Sequence, residues 1–449
     1  MDPEAGPAMT DCAVPFNRDI VRRVLVDARV NIRTASIREM NAAVTAIERE
    51  LGVAFIRMEF GVPGLPASPI ALDAEVRALR DQHLAHVYAP FEGLPALKAA
   101  GARFWKLFTD VDVPPACVVP TIGAMQGCFA SIALGGQMKG AASTVLCLGP
   151  GFPENRLQAR MLGVRTETLD FYDHRGDHLI DAIQRRVSRG DVGAILWSSP
   201  NNPTWIVLTP SELEGIGRVC TLYDVLAVED LAYFGMDTRQ DYSVPGQPPY
   251  QPTVMRYTDR AISIVSSSKM FSYAGQRIAL TIVAPGLMTM EVPALAERFG
   301  TATAGRALID GIIYPNIACV PESAQHGLRA LLDAANEGDV SLFEPSRVYA
   351  ARARAMKRLF LDNGFRLVYD NDLGTPLADG FYFTIAYPGV DDGSVLLEEL
   401  LHYGISAITL KAAGSCRTEG LRACVSMTGE DRFDALASRL QRFRADHPA

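Results

Sequence analysis

Apolar residues in the middle of the chain form short runs that alternate with longer segments of helical periodicity. The apolar runs lie at 117–120, 144–148, 164–169, 194–197, 225–228 and 262–265. Helical segments fall between them, among them 124–134, 179–187 and 210–222. Buried strands separated by helices are typical of a largely parallel sheet that is covered on both faces. The central part of the sequence therefore predicts a large α/β domain.

The two ends of the chain have a different pattern. Residues 1–15 are expected to form a loose arm, and residues 19–51 are largely helical in periodicity. After Pro315, helical patterns alternate with short strands, and these segments are 323–332, 345–363, 365–369, 381–386, 394–402, 421–426 and 430–445. We expect an N-terminal arm and helix (1–59) on a small C-terminal α+β domain (321–449), with the large domain over 60–320.

Polar clusters follow five of the predicted strands, after Pro120, Leu148, Trp197, Val228 and Val265. Ligands of open α/β sheets bind outside the carboxyl ends of the strands. The sequence therefore predicts one binding site at this edge of the sheet.

Composition excludes several classes of partner. A net charge of −8 and a pI near 5.5, without a dense Lys/Arg block, argue against a nucleic-acid surface. The eight cysteines show no CxxC and no metal-ligand spacing, which indicates no metal site and a reducing, cytoplasmic compartment. No apolar run approaches the ~18–20 residues of a membrane span, and the N-terminus does not resemble a signal peptide. We expect a soluble protein that binds neither nucleic acid nor membrane.

Lys269 follows the apolar run 261–265, within the sequence Ser-Ser-Ser-Lys-Met-Phe-Ser-Tyr-Ala-Gly-Gln-Arg that ends at Arg277. A lysine at the end of a buried strand is partly desolvated, which lowers its pKa and makes the neutral amine accessible. A neutral amine is what Schiff-base chemistry on a carbonyl requires. For this residue taken alone, an ordinary loop lysine is the simpler interpretation.

Two clusters offer hydrogen-bond donors. The sequence Thr-Ile-Gly-Ala-Met-Gln from Thr121 ends a strand and opens a helix, where Gly123 and exposed N–H groups can hold a phosphate. Capping of the helix by Thr121 is the alternative. The sequence Ser-Pro-Asn-Asn-Pro-Thr from Ser199 offers the amide of Asn202 as a donor, or is only a turn.

Two further clusters offer buried charges. Asp230, in Val-Glu-Asp-Leu-Ala-Tyr233, would carry a large desolvation cost unless it meets a cation such as a protonated ring nitrogen. Arg422, in Gly-Leu-Arg-Ala-Cys-Val-Ser, is costly in an apolar strand unless it meets an anion, for which a carboxylate is suited. The alternatives are a helix cap by Asp230 and a structural salt bridge of Arg422.

Taken together, these motifs resemble the fold-type I pyridoxal-phosphate-dependent enzymes, in particular the class I/II aminotransferase family. The resemblance rests on Ser-x-Ser-Lys-(x)5-Gly-x-Arg around Lys269, Asn-Pro-Thr at 202–204 and Asp-x-x-Tyr at 230–233, and it covers about 60–426. It implies a large domain with a mostly parallel mixed sheet covered by helices, as in aspartate aminotransferases, and a smaller α+β domain. It also implies the cofactor pyridoxal 5′-phosphate.

The resemblance implies roles for individual residues around the cofactor. Lys269 would be catalytic, because it forms the Schiff base with the cofactor and moves protons. Asp230 would pair with the ring nitrogen, while Asn202 and Tyr233 bond the ring oxygen and Phe152 stacks on the ring. The residues implied for the phosphate are Gly123, Ala124, Met125, Ser266, Ser268 and Arg277.

Further residues are implied for the substrate and for a second subunit. Arg422 would bind the substrate α-carboxylate, with Gly61 close by. Tyr88 would enter the phosphate site of a neighbouring subunit, which implies a homodimer with shared active sites. Arg298, Arg306 and Tyr314 either reach the substrate pocket or lie on the surface or at an interface.

Four positions depart from the family pattern. Trp205 stands where a glycine usually follows Asn-Pro-Thr, and Ser199 replaces an asparagine. Ala279 replaces a glycine, and Met125 lacks the frequent hydroxyl. None of these changes removes a group that the cofactor chemistry needs.

We therefore expect an aminotransferase that moves an amino group between an L-amino acid and a 2-oxo acid. A pyridoxal-phosphate-dependent lyase or synthase acting at Cβ or Cγ is the alternative, since it would use the same cofactor residues. A non-catalytic regulator is disfavoured because the segment before Gly61 is short and not basic. A nucleotide-binding protein is disfavoured because neither GxGxxG nor GxxxxGK[ST] occurs at a strand end.

Overall fold

A computed structural model describes residues 14–448 of the chain. These residues divide into two compact units. The larger unit is Leu65–Arg347, and the smaller unit is formed by the described parts of Met1–Gly64 and Val348–Ala449. No helix within residues 14–448 is long and apolar enough to cross a membrane.

The strands, in chain order, are β1 Ile56–Arg57, β2 Val118–Thr121, β3 Thr144–Gly149, β4 Arg165–Asp170, β5 Val192–Ser198, β6 Leu226–Leu231, β7 Ala261–Ser266, β8 Ala279–Val283, β9 Arg366–Leu367, β10 Asn371–Asp372, β11 Thr375–Pro376, β12 Tyr382–Ala386, β13 Ile405–Ser406, β14 Ile408–Thr409 and β15 Leu421–Cys424.

The α-helices are α1 Arg18–Asp27, α2 Ile37–Leu51, α3 Pro69–Arg80, α4 Pro95–Thr109, α5 Gly123–Gly135, α6 Pro153–Met161, α7 Asp177–Val187, α8 Pro210–Leu222, α9 Ser267–Met270, α10 Pro285–Thr289, α11 Ala296–Phe299, α12 Ala304–Arg306, α13 Tyr314–Ile317, α14 Glu322–Glu337, α15 Phe343–Asp362, α16 Gly393–His402 and α17 Phe433–Asp446. A π-helix, Ala307–Ile313, joins α12 to α13.

The larger unit is built on a seven-stranded mixed sheet with the order β2-β8-β7-β6-β5-β3-β4. The neighbours from β7 to β4 pair in parallel, whereas β8 runs antiparallel to both β7 and β2. Strands β5, β6, β7 and β8 are buried along their whole length, as continuous apolar strands between two layers of helices must be. The predicted fold class, a mostly parallel mixed sheet covered by helices, is confirmed.

The register of the sheet brings the predicted polar clusters to one edge. Ser198, the last residue of β5, pairs with Asp230 of β6. At the neighbouring pair of strands, Ala279 of β8 pairs with both Ser266 of β7 and Thr121 of β2. The carboxyl ends of β5, β6, β7 and β2 therefore lie along one edge of the sheet, with the start of β8 between those of β7 and β2.

The boundary between the units differs from the expected one at 320/321. Helix α14 makes extensive contacts with α3 and α4, so it belongs to the larger unit, and the division falls at Arg347/Val348. Asn336 of α14 donates from Nδ2 to the carbonyl oxygen of Ala100 in α4 at 3.1 Å. The sequence pattern identified the helix but not its partners, because a single amphipathic stripe can pack on either unit.

The smaller unit combines both ends of the chain. Strand β1 pairs in parallel with β13, and a four-stranded antiparallel sheet has the order β14-β15-β12-β9. Helix α1 lies on α16, where Arg18 donates to Glu399 from both terminal nitrogens. The N-terminal segment thus packs on the C-terminal α+β unit.

Residues 19–51, which the periodicity predicts to be largely helical, form two separate helices. Helix α1 ends at Asp27, and Arg29 has a positive φ of 53°. Helix α2 begins after Ser36, which forms a capping box with Glu39. A capping box satisfies the first free N–H groups of a helix, and its sequence signature therefore marks a helix start.

Candidate active site

At the start of α5, Gly123 and the Arg277 guanidinium lie side by side, an arrangement that we call the cradle. Gly123 has a positive φ of 62°, and a Cβ atom there would lie 2.5 Å from Nη2 of Arg277. The cap residue, Ile122, makes no side-chain cap hydrogen bond, so the alternative of a helix cap by Thr121 is wrong. The Thr121 hydroxyl contacts that of Thr281 instead, at 3.2 Å. Helix N–H groups beside a guanidinium attract an anion.

Lys269 lies directly beyond the end of β7. It belongs to the short helix α9, whose cap is Ser266, and the Ser266 hydroxyl accepts from the N–H of Ser268 at 3.2 Å. Ser267 donates its hydroxyl proton to the carbonyl oxygen of Ile278 at 2.6 Å, which ties α9 to the start of β8. Ser266 and Ser268 are buried, and Lys269 is half-buried. The lysine is thus held on a short, rigid turn.

Asp230 carries a buried carboxyl group at the end of β6. Burial raises the pKa of Asp230 to about 6, and hydrogen bonds from the N–H of Ala232 and from Cys128 oppose this rise. The Ala232 N–H lies 3.0 Å from Oδ1. This bond closes a local turn. The alternative, in which Asp230 caps a helix, is therefore wrong. A cation at this place would stabilise the carboxylate that burial disfavours.

Asn202 lies in a tight turn after β5, and its neighbour Asn201 holds that turn in place. Asn201 donates from Nδ2 to the carbonyl oxygen of Pro150 at 3.0 Å, and its Oδ1 accepts from the Thr204 hydroxyl at 2.8 Å. The backbone N–H of Asn202 donates to the Ser198 hydroxyl at 3.2 Å. The turn is therefore fixed both internally and to the loop after β3. Phe152 follows in that loop and lines a small cavity.

Tyr233 follows β6 and meets Trp205 from the turn after β5. The two rings form an edge contact with centroids 5.1 Å apart and planes at 65°. Both side chains are buried. Since β5 and β6 are neighbours in the sheet, this contact joins the two turns that carry Asn202 and Asp230.

Residues at this edge fit a phosphorylated pyridine with a carbonyl group. The glycine cradle with Arg277 suits a phosphate, and the buried Asp230 suits a protonated ring nitrogen. Lys269 supplies an amine that can bond covalently to a carbonyl carbon. These groups lie on adjacent strand ends of one rigid sheet, which is where preorganised sites form.

Arg422 and Gly61 lie together in the smaller unit. The Arg422 side chain is buried, its Nη2 donates to the carbonyl oxygen of Glu59 at 2.6 Å, and its guanidinium lies 4.6 Å from the ring centre of Tyr382. A Cβ atom at Gly61 would meet the Tyr382 hydroxyl at 2.2 Å. Tyr382 thus contacts both predicted substrate residues.

Tyr88 is a predicted site residue of the larger unit that is largely exposed, since 86% of it is accessible to solvent. Phe91 lies nearby in sequence and packs edge-on against Tyr314, with ring centroids 4.9 Å apart. All three aromatic rings are exposed. Phe91 and Tyr314 thus form an exposed aromatic pair.

Sequence reasoning missed several residues that position the predicted ones. Cys128 bonds to Asp230, and Gln126 accepts from the N–H of Ile122 at 2.7 Å. Gln158 donates to the carbonyl oxygen of Met125 at 2.8 Å. Their position on α5 and α6 next to the cradle was readable from the sequence, but their partners depend on how the helices pack.

Comparison with known protein families identifies the family to which this chain belongs. The family model described as aminotransferase class I and II matches residues 58–432. The chain belongs to this family. Its cofactor is therefore pyridoxal 5′-phosphate, as the motifs predicted.

Curated relatives match only part of their length. The aspartate aminotransferase of Geobacillus stearothermophilus is 28% identical over 199 residues, which cover 42% of this chain and 48% of that protein. A probable aspartate aminotransferase of Methanocaldococcus jannaschii is 24% identical over 257 residues, 57% of this chain and 62% of that protein. The alignments thus span less than two thirds of these relatives.

Solved structures match over nearly the whole chain. The aspartate aminotransferase of Thermus thermophilus, solved with maleate, superposes with a TM-score of 0.74 at 17% identity, covering 94% of this chain and 98% of that one. An aminotransferase of Mycobacterium tuberculosis has a TM-score of 0.73 at 19% identity, covering 93% and 100%. At such identities the likeness shows the fold.

Proposed function

We propose that the protein is a pyridoxal-phosphate-dependent aminotransferase that moves an amino group between an L-amino acid and a 2-oxo acid. The observation that carries this proposal is the arrangement of Lys269, Asp230 and the Gly123–Arg277 cradle on adjacent strand ends. When bound, the cofactor spreads the negative charge that develops at the substrate Cα over its ring.

Lys269 performs the proton transfers in this proposal. Its amine would hold the cofactor through a covalent bond, and the same amine would serve as the general base for the proton at the substrate Cα and as the acid that gives this proton back. The short helix α9, capped by Ser266, would keep this amine at the end of β7.

The remaining residues bind and orient. Asp230 would hold the protonated ring nitrogen, Asn202 and Tyr233 would donate to the ring oxygen, and Phe152 would cover the ring face. The proposed phosphate ligands are Gly123, Ala124, Met125, Ser266, Ser268 and Arg277. In the smaller unit, Arg422 beside Gly61 is proposed to bind the substrate carboxylate, since a buried guanidinium pairs well with a planar anion.

The proposed active unit is a homodimer in which Tyr88 reaches the phosphate site of the partner. Its exposure, together with that of Phe91 and Tyr314, supports a surface covered by a second copy of the chain. A cytoplasmic location is proposed from the cysteines, since all those described are free thiols.

Replacement of Lys269 tests the proposal. Lys269→Ala is expected to lower turnover of an amino acid and 2-oxo acid pair by about 10³-fold or more, because the proton carrier is lost. Lys139→Ala is the matched control, since Lys139 is also half-buried in the larger unit and donates to the carbonyl oxygen of Tyr223. Formation of 2-oxo acid is measured for both. Near-normal activity of Lys269→Ala would contradict the proposal.

A further inference from the structure

Trp205 has a backbone conformation that its side chain disfavours. Its φ is 66°, in the left-handed region. A residue with a Cβ atom loses about 1–2 kcal/mol there, and a bulky residue is a genuine outlier. Among the described non-glycine residues with positive φ, Trp205 is the one whose side chain is buried. Such strain persists where surrounding structure enforces it, and it clusters at functional sites.

The backbone around Trp205 enforces this conformation. Its N–H donates to the carbonyl oxygen of Asn201 at 2.8 Å, and the N–H of Asn201 donates to the carbonyl oxygen of Ile206 at 2.8 Å. The Thr204 hydroxyl also accepts from the N–H of Ile206 at 3.1 Å. The turn is therefore closed on both sides of Trp205, which fixes the direction of its Cα–Cβ bond into the buried interior.

The indole is directed at Tyr233. The edge contact at 5.1 Å is of the geometry that aromatic pairs prefer, worth about 0.5–1.5 kcal/mol beyond burial. Tyr233 is 4% exposed, so its ring is closely packed, and Trp205 forms one side of its surroundings. The turn after β5 thereby limits the direction of a phenol that follows β6.

We propose that Trp205 is a positioning residue that fixes the Tyr233 phenol toward the cofactor ring oxygen. This inference rests on the proposed function, in which Tyr233 donates to that oxygen. Trp205 stabilises the ionised ring oxygen only through Tyr233 and touches no reacting atom. A glycine at position 205 would favour the backbone but would leave the Tyr233 ring without its edge contact.

The test is the pH titration of the visible absorption of the holoprotein. A phenol that donates to the cofactor ring oxygen stabilises the ionised form of that oxygen. Removing the donor therefore raises the apparent pKa at which the visible absorbance of the bound cofactor changes. Tyr233→Phe is expected to raise it, and Trp205→Leu to raise it by about one unit. Trp205→Phe, which keeps an aromatic edge, is expected to stay closer to the wild type. In the double variant, Trp205→Leu is expected to add nothing to Tyr233→Phe.

Trp105→Leu is the control for loss of a large buried ring. Trp105 is fully buried and packs against Phe234, with ring centroids 6.2 Å apart. Phe234 directly follows Tyr233 in the chain, so Trp105→Leu removes a similar volume beside the turn that carries Tyr233. Trp105→Leu is expected to lower the free energy of unfolding about as much as Trp205→Leu does, but to leave the pKa of the absorbance change at its wild-type value. If the leucine variant at 205 does not fold, Trp205→Met fills the space with a flexible side chain and serves instead.

The outcomes separate the inference from the proposed function. A wild-type protein that gains no visible band with pyridoxal 5′-phosphate contradicts the proposed function. A wild-type band with an unchanged pKa in Trp205→Leu contradicts only the role of Trp205. A shift that is fully additive with that of Tyr233→Phe also contradicts this role, because Trp205 would then act independently of Tyr233.

Discussion

At Gly123 the backbone of the larger unit comes close to Arg277, a charged side chain of the candidate site. The positive φ of Gly123 and the 2.5 Å between a built Cβ atom and the Arg277 guanidinium leave no room for a side chain. The arginine itself has a left-handed φ of 52°. Two unusual backbone conformations thus meet at the cradle, and both serve to bring N–H donors and a positive charge to one point.

Gly123→Ala is expected to weaken binding of pyridoxal 5′-phosphate by about tenfold or more, because the methyl group displaces Arg277. Gly140→Ala is the matched control, since Gly140 also has a positive φ, of 86°, but no atom within 4 Å of the built Cβ. Both variants should lose similar stability from backbone strain. Fluorescence titration with the cofactor measures the affinities, and equal affinities in the two variants would rule out a steric role for Gly123.

At the scale of elements, β6 places two acids on opposite faces of the sheet. Asp230 faces the site, while Glu229 accepts from the hydroxyls of Thr253 and Ser263 and from the N–H of Val254, at 3.1 Å for the last. Burial raises the pKa of Glu229 to about 7, against the effect of these hydrogen bonds. The strand therefore contains a second buried acid that contributes to stability rather than to the proposed chemistry.

The pH dependence of stability tests this assignment. Because the pKa of Glu229 is raised on folding, its contribution is most favourable below about pH 4.5 and is lost as the pH rises through about 7. Glu229→Gln keeps the network, since its amide nitrogen can donate to both hydroxyls while its oxygen accepts from Val254. Between pH 5 and 8, the free energy of unfolding is expected to decrease less in Glu229→Gln than in the wild type. The two decreases should differ by an amount on the order of 3 kcal/mol.

Urea unfolding at several pH values measures this difference. Glu214→Gln is the control, because Glu214 is exposed on α8. A wild-type slope that is unchanged in Glu229→Gln would show that the carboxyl group does not titrate in this range.

Elements were predictable where local chemistry defines them. Helix α8 has the bounds that the sequence predicts, because Pro210 fixes its first turn and Thr209 forms a capping box with Glu212. The division of residues 19–51 and the π-helix Ala307–Ile313 were missed. A π-helix inserts a residue into otherwise helical sequence, and hydrophobic periodicity carries little sign of it.

At the scale of the whole molecule, the sequence motifs predicted which residues share the sheet edge, because parallel strands place their carboxyl ends together. The edge contact between Trp205 and Tyr233 was not predictable. It requires the order of β5 and β6 in the sheet and the direction of two side chains. The same holds for the packing of α14, which moved the boundary between the units.

Mixing two inactive variants tests the proposed shared active sites. Tyr88→Ala is expected to lose activity at limiting cofactor, and Lys269→Ala to lose it altogether. A mixed dimer contains one site with an intact Lys269 and an intact Tyr88 from the partner. Statistical reassociation should therefore restore about a quarter of the wild-type sites.

Activity of the mixture is measured after joint refolding and compared with each variant refolded separately. Leu222→Ala replaces Tyr88→Ala in the control mixture, since Leu222 is 66% exposed at the end of α8 and is assigned neither to the cofactor nor to the proposed interface. No recovery in a mixture that is dimeric by sedimentation would show that Tyr88 does not serve the neighbouring site.

We propose that the protein carries pyridoxal 5′-phosphate on Lys269 and transfers amino groups. The most direct test is the visible absorption spectrum of the purified protein with the cofactor, before and after adding amino acids one at a time. We predict a yellow band that bleaches to the pyridoxamine form with at least one amino acid and returns with a 2-oxo acid. A band that persists while pyruvate or ammonia accumulates would instead indicate a lyase, and the absence of any band would contradict the account as a whole.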